Sequence, residues 1–237
     1  MGIPFHDAYA DFPDPYRDEV GELLAIGGDL NPQRLLAAYA KGIFPWYDET
    51  SPILWWSPDP RLILVPEELH ISRRLARFMA QKPLAVTVNM SCPQVIESCA
   101  RVPRRGVKGT WLVPEMIAAY TRLHELGYVH SVETWQDGHL VGGIYGVGLG
   151  RTFFGESMFH RVSNASKVAL AYLTGILLAH GVQLMDCQQT TGHLLSLGAR
   201  EIPRREFLCR LQQALEAGPL PEEAWRVRRL EEKSLPV

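Results

Sequence analysis

The 237 residues suffice for one large domain or two small ones, and 46% hydrophobic against 21% charged residues allow a packed core and exclude a disordered chain. A formal net charge of −2 excludes attraction of nucleic acid by overall charge, so such a partner must meet a local basic patch. Residues 1–10 carry neither a basic n-region nor an apolar run, and no stretch of about 18 apolar residues occurs, so neither a signal peptide nor a membrane partner is expected. Cys92, Cys99, Cys187 and Cys209 form no C-x-x-C pair, and no two histidines have H-x-x-x-H spacing. Reduced thiols, a cytoplasmic location and no metal are therefore expected.

In chain order, Asn31-Pro32 opens a helix, with Asn31 as its cap and Pro32 in the first helical position. Leu35, Leu36 and Tyr39 give that helix an apolar face, and Gly42 stops it. The stretch from Ile43 to Pro58 holds Trp46, Trp55 and Trp56 among prolines that preclude a long helix. Aromatics on such irregular backbone are either a plug between domains or a recognition wall. Arg61 to Val65 reads as a strand. Ser72 to Met79 reads as a short helix carrying Arg73, Arg74 and Arg77, with Lys82 just beyond. Val86 to Val88 is a strand and Pro93 to Ala100 a helix. From Arg101 to Lys108 run four positive charges without an acid. Two basic segments in a chain of acidic balance point to an anionic partner.

Pro114 to Leu126 follows helical spacing through Ile117, Tyr120, Leu123 and His124, and Gly127 ends it. Ser131 to Trp135 is a strand, Asp137-Gly138 the strongest hairpin signal, and Leu140 to Val147 the partner strand. Gly148 to Gly150 is a turn and Arg151 to Phe154 a further strand. Ser163 or Asn164 caps a helix that runs to His180 and stops at Gly181. Gln183 to Gln188 is a short strand, Thr191 to Leu197 a short helix, and Arg205 to Ala214 the last helix. This order predicts a small N-terminal aromatic and helical domain, 1–63, followed by a mixed α/β domain, 64–237, built from a hairpin that leads into strand–helix–strand.

Two carboxylates bracket that last unit. Glu156 follows Phe153-Phe154-Gly155, where Gly155 permits a turn or the close approach of a ligand. Glu156 is thereby expected near the start of the next helix, capping its N–H groups, binding a cationic or amino group, or both. Asp186 and Gln188, two apart on a strand, point to one face and Cys187 to the other. The pair predicts a relay in which Asp186 orients Gln188 and the Gln188 carbonyl accepts a proton from a bound amine; a strand end that satisfies nearby loops is the alternative. Ser157 lacks a G-x-S-x-G context, and neither Gly142-Gly143 nor Gly146 to Gly150 leads into a helix followed by Lys-Ser/Thr.

Taken together, Gly-Gly-Asp-Leu at 27–30, Gly-Ile-Phe-Pro-Trp at 42–46, Trp-Trp-Ser-Pro at 55–58, Gly-Thr-Trp at 109–111 and His-Ser-Val-Glu-x-Trp at 130–135 form a pattern. Gly-Gly-x-Tyr-Gly-Val at 142–147, Gly-Glu-Ser-Met-Phe at 155–159, Ala-Ser-Lys at 165–167, Asp-Cys-Gln at 186–188 and Ser-Leu-Gly-Ala at 196–199 continue it. In this order the motifs closely resemble those of the bacterial leucyl/phenylalanyl-tRNA–protein transferases, over nearly the whole chain.

The resemblance implies a small N-terminal domain and an acetyltransferase-like (GNAT) mixed-sheet domain. It implies transfer of leucine or phenylalanine, with methionine as a third candidate, from aminoacyl-tRNA to the α-amino group of proteins that begin with Arg or Lys. That product is marked for N-end-rule degradation. No cofactor is implied, and the enzyme is expected to be a monomer. Carried onto this chain, Trp46 and Trp111 flank the terminal adenosine, and Ile144, Phe153, Gly155, Glu156 and Leu170 line the aminoacyl pocket. Asp186 and Gln188 form the relay, and Arg73, Arg77 and Lys82 meet the tRNA. The chain has Ile144 where the family carries methionine and Leu173 where it carries an aromatic, which bears on pocket shape. An acyl-CoA-dependent N-acetyltransferase and a non-catalytic RNA-binding module are the alternatives. Against the first, no pyrophosphate loop opens a helix after a strand.

Overall fold

A computed structural model of the protein describes residues 11–17, 21–102 and 112–230. A small antiparallel sheet comes first, from β1 (Leu23–Ile26), β2 (Phe44–Pro45) and β3 (Leu54–Trp56), in the order β1-β3-β2. The tryptophan-rich stretch is thus not irregular throughout. Prolines break it into two short strands, and the strands pair with each other and with β1. Helix α1 (Pro32–Ala40) starts as its sequence dictates: the Asn31 side chain accepts the Arg34 N–H at 2.9 Å, and proline occupies the first turn. Gly42 follows at φ +70°, and a Cβ there would lie 2.7 Å from Leu208 Cδ2, so both conformation and space demand glycine.

The larger sheet contains β4 (Arg61–Leu64), β5 (Ala85–Val88), β6 (Val129–Gln136), β7 (His139–Leu149), β8 (Thr152–His160), β9 (Leu184–Gln188), β10 (Arg200–Ile202) and β11 (Arg228–Leu230). Their spatial order is β10-β4-β9-β8-β7-β6-β5-β11. Every described pairing is antiparallel except β8 with β9, which the crossover helix α5 (Ala165–Ala179) joins in parallel. Because β4 lies wholly in this sheet, the change from one sheet to the other falls ahead of Arg61, a little before residue 63.

Alternation along the strands separates two apolar faces. Leu62, Leu64, Val132, Ile144, Phe153 and Met185 pack towards α5 and towards α2 (Arg73–Ala80), which Ser72 caps. Ile63, Val129, Tyr145, Val147, Phe154 and Leu184 share the opposite cluster with α1, α3 (Cys92–Arg101), α4 (Pro114–Glu125), α7 (Arg204–Glu216) and the small sheet. One continuous core therefore ties the small sheet to the large one.

β8 departs most from expectation. It runs on past Phe154 to His160. Tyr145 pairs with Ser157 and Gly146 with Gly155, so Glu156 is the extra residue of a β-bulge. Glu156 accordingly stands within a strand and caps no helix. α5 begins only at Ala165, after Asn164 at φ +69° with no side-chain cap. β7 likewise extends through Gly148 to Leu149. β1, β10 and β11 are too short to show a period-2 pattern, which is why sequence spacing does not reveal them.

Candidate active site

The parallel strands β8 and β9 pair for the last time at Phe154 and Asp186; beyond that each runs on without the other. The bulge at Glu156 bends β8 away from its neighbour, and a cleft of about 480 Å³ opens there. Two other clefts measure about 270 and 290 Å³. Phe44 and Trp46 form one wall, from the small sheet. Ile144, Gly155, Met158 and Met185 form an apolar floor, and Glu156 and Gln188 bring polar atoms to it. Thr191, His193 and Leu194 close the far side on α6 (Gly192–Leu195), which the Thr191 hydroxyl caps.

Glu156 is 8% exposed, and its bonded neighbours are neutral. The Tyr39 hydroxyl donates to Oε1 at 2.7 Å, and the Tyr120 hydroxyl shares a hydrogen bond with Oε2 at 3.0 Å. The two hydroxyls also lie 2.6 Å from each other. Gln188 Nε2 donates to Oε1 at 2.9 Å. Burial pushes the carboxyl up to about 7, while the two tyrosine hydrogen bonds oppose the rise; the Asp186 charge adds to it and the Arg61 charge opposes it. Burial, and then the Glu156 charge, also raise Tyr39 and Tyr120 well above the ordinary phenol range.

Asp186 has the opposite surroundings. It is fully buried and clasped by Arg61, whose Nε reaches Oδ1 at 2.8 Å and whose Nη2 reaches Oδ2 at 2.6 Å. Arg61 Nη1 donates to the Gly42 carbonyl at 3.1 Å, and the guanidinium lies over the Phe44 and Phe207 rings, 4.9 and 4.4 Å from their centres. Asp186 Oδ1 also accepts the main-chain N–H of Gln188 at 2.8 Å, which holds Gln188 at φ +62°. A chain of contacts therefore runs from Gly42 through Arg61, Asp186 and Gln188 to Glu156. Asp186 reaches Gln188 through the backbone, and the Gln188 side chain turns to Glu156. With its carboxylate already bound by a guanidinium, Asp186 is suited to holding Gln188 in place.

A family model described as leucyl/phenylalanyl-tRNA protein transferase matches residues 63–212, and a second, for the N-terminal domain of the same transferase, matches residues 28–59. The chain belongs to the leucyl/phenylalanyl-tRNA protein transferase family. A curated relative so named from Solidesulfovibrio magneticus is 57% identical over 205 residues, 86% of this chain and 83% of the relative. Another from Aromatoleum aromaticum is 54% identical over 221 residues, 92% and 93% of the two chains. Membership makes the chain an aminoacyltransferase that works from tRNA to protein. A solved GCN5-related N-acetyltransferase from Kribbella flavida is similar at a TM-score of 0.39 and 12% identity, over 72% of this chain and 61% of that one, too slight a likeness to argue from.

Within this transferase fold the structure brings together Trp46, Ile144, Gly155, Glu156 and Gln188 at one cleft, with Asp186 directly behind. Trp46 is 39% exposed at the mouth, and its carbonyl accepts the Trp56 indole N–H at 2.7 Å. Trp55, wholly buried and donating to the Gly27 carbonyl at 2.8 Å, is the plug. Plug and wall are thus divided between neighbouring tryptophans. Phe153 and Leu170 are fully buried and do not line the cleft; they share the apolar cluster of Ile144 and Met185 behind its floor. Trp111 lies outside the described residues. Arg73 and Arg77 stand exposed on α2, and Lys82 follows it, also exposed.

Sequence reasoning missed Arg61, Tyr39 and Tyr120. The tyrosines read as members of apolar helix faces. Their hydroxyls, which need partners once buried, were the available signal. Among the described residues, no group of three or more His, Cys, Asp or Glu could hold a metal ion, and no helix is long and apolar enough to cross a membrane.

Proposed function

We propose that the cleft takes the aminoacyl-adenosine end of leucyl- or phenylalanyl-tRNA, and that the enzyme passes the aminoacyl group to the α-amino group of proteins beginning with Arg or Lys. On this reading it acts as a cytoplasmic monomer and marks its substrates for N-end-rule degradation. The observation that carries the proposal is the cleft itself: an apolar floor and an exposed tryptophan beside one hydrogen-bonded carboxyl–amide pair, the buried Glu156 and the half-buried Gln188. The floor suits an aliphatic or aromatic aminoacyl side chain, and an apolar pocket separates such side chains by only about 1–3 kcal/mol per methylene. Trp46 stacks on the adenine, with Trp111 as its partner. Phe153 and Leu170 set the depth of the floor from behind.

The chemistry needs little more than placement. An α-amino group has a pKa of about 7.7–8, so a useful fraction is neutral near pH 7. Holding it against the ester contributes on the order of 7–11 kcal/mol at best. The Gln188 carbonyl oxygen accepts a hydrogen bond from the attacking amine, and Asp186 fixes the backbone that presents it. Arg73, Arg77 and Lys82 meet tRNA phosphates, a contact that is salt-dependent and indifferent to sequence. The deciding assay is transfer of labelled leucine from tRNA to a peptide beginning with Arg, beside the same peptide beginning with Ala. Label on the Arg peptide alone is expected; label on neither removes the proposal.

A further inference from the structure

We propose that Glu156 carries a proton in the resting enzyme and closes a ring with Tyr39 and Tyr120, a ring that fixes the Gln188 amide with its carbonyl left for the substrate. This role for Glu156 rests on reading the cleft as the site of transfer.

The number of hydrogens decides the protonation state. Three oxygen–oxygen contacts join the three side chains, at 2.6 Å between the tyrosines and at 2.7 and 3.0 Å to the carboxyl. Each hydroxyl has one hydrogen to give, and an ionised carboxylate has none. Two hydrogens serve two contacts, and the third would set lone pairs against each other in a buried place. One more proton, on Glu156 Oε2, satisfies all three head to tail. Oε2–H donates to Tyr120, Tyr120 donates to Tyr39, and Tyr39 donates to Oε1.

In that ring Oε1 is a carbonyl oxygen and only accepts. Gln188 must therefore turn its Nε2 to Oε1, as found at 2.9 Å. The Gln188 carbonyl oxygen has no partner among the described residues and is left for a substrate N–H. The charged groups that face Glu156 leave it neutral. Arg61, from β4, is spent on Asp186 of β9; the phenols of Tyr39 of α1, Tyr120 of α4 and Tyr145 of β7 surround Glu156, and His193 of α6 stands across the cleft. Burial pushes the carboxyl in the same direction. Glu156 is then a positioning residue, neither a base nor the counter-ion of an arriving Arg or Lys.

Glu156→Gln decides between these roles. Its amide N–H₂ replaces Oε2–H as the donor to Tyr120, and its carbonyl keeps the place of Oε1. Transfer at pH 7 is expected to stay within about tenfold of wild type. Glu156→Ala opens the ring and is expected to lower kcat about a hundredfold while KM for charged tRNA holds. A Glu156→Gln enzyme as poor as Glu156→Ala, with its fold intact by circular dichroism, overturns the proposal. A second arm needs no substrate and so stands apart from the proposed reaction. Infrared difference spectra of the free enzyme are expected to show a carboxylic-acid band at pH 6, lost as pH rises through about 7 and missing from Glu156→Gln. Absence of that band from wild type at pH 6 also overturns it.

Discussion

Asp186 and Glu156 are both buried, on adjacent strands at the point where β8 and β9 part, yet they live in different chemistry. Asp186 meets a guanidinium through two short bonds and has no face on the cleft. Glu156 meets two phenols and an amide, and opens on the cleft. Both side chains are buried, and what differs is the partner each one meets. Asp186 is locked in an ion pair with Arg61 and holds backbone. Neutral donors leave Glu156 with a carboxyl whose proton is available near neutral pH.

The largest effect is expected from breaking the ionic member of this pair. Asp186→Ala leaves Arg61 buried without its counter-charge and is expected to cost about 3–5 kcal/mol of stability, read as a lower urea midpoint. The double variant Asp186→Leu/Arg61→Met is expected to lose much less than the two single losses added together, because neither charge is stranded. A double variant whose loss equals the sum of the singles would mean the two side chains act independently, and the contrast with Glu156 would lapse.

The next largest effect concerns pH. Burial pushes the Glu156 carboxyl up to about 7 in the folded chain, against about 4.3 for a glutamate in the unfolded chain. Between those values the native state binds more protons than the unfolded state, so this group lowers stability as pH rises, by up to about 1.4 kcal/mol per unit. Its contribution is complete at low pH and lost as pH climbs through about 7. Glu156→Gln removes the slope. The unfolding free energy of wild type, minus that of the variant, is expected to fall by about 2–3 kcal/mol between pH 5 and pH 7.5. A constant difference would show that Glu156 keeps the same charge across this range.

How much of this contrast was legible in the sequence depends on distance along the chain. Asp186 and Gln188 share a strand, and a period of two puts them on one face without further knowledge. The α1 cap at Asn31 was legible for the same local reason. Arg61 lies 125 residues from Asp186 and opens a strand, where an arginine looks like a surface end. Tyr39 and Tyr120 lie 81 residues apart, each at a position its own helix explains as apolar. The bulge at Glu156 exists only in relation to the count of residues on β7, so Gly155-Glu156 read as the end of a strand. What lies within one element, or across one tight turn such as Asp137-Gly138, was readable, and what depends on distant elements meeting was not.

A smaller effect comes from Gly155, the residue just before Glu156. A Cβ on Gly155 would lie 2.8 Å from Met185 Cε and 3.5 Å from the Asp186 carbonyl oxygen. The near atom is the end of a flexible side chain, so Gly155→Ala is expected to fold with Met185 displaced. Because Met185 lines the floor, the cleft narrows while both carboxyl networks survive. Phenylalanine transfer is expected to fall about tenfold more than leucine transfer in a competition between the two charged tRNAs. Equal losses would show that the floor does not meet the aminoacyl side chain, and would turn attention to the wall of Phe44 and Trp46.

The exposed arginines of α2 add a third environment for charge, and there the stability effect is expected to be smallest. Arg73 and Arg77 stand in solvent, and neither makes an ion pair among the described residues. Arg73→Ala/Arg77→Ala is expected to leave stability within about 0.5 kcal/mol of wild type. Its consequence belongs to binding. If both side chains meet phosphates, the plot of log affinity for tRNA against log salt should lose a slope of about 2, and affinity should fall alike for leucyl- and phenylalanyl-tRNA. An unchanged slope would remove α2 from the tRNA path. A reduced slope with an unchanged urea midpoint would complete the series: a charge buried with its partner carries stability, a carboxyl buried among neutral donors carries pH dependence, and a charge left in water carries association.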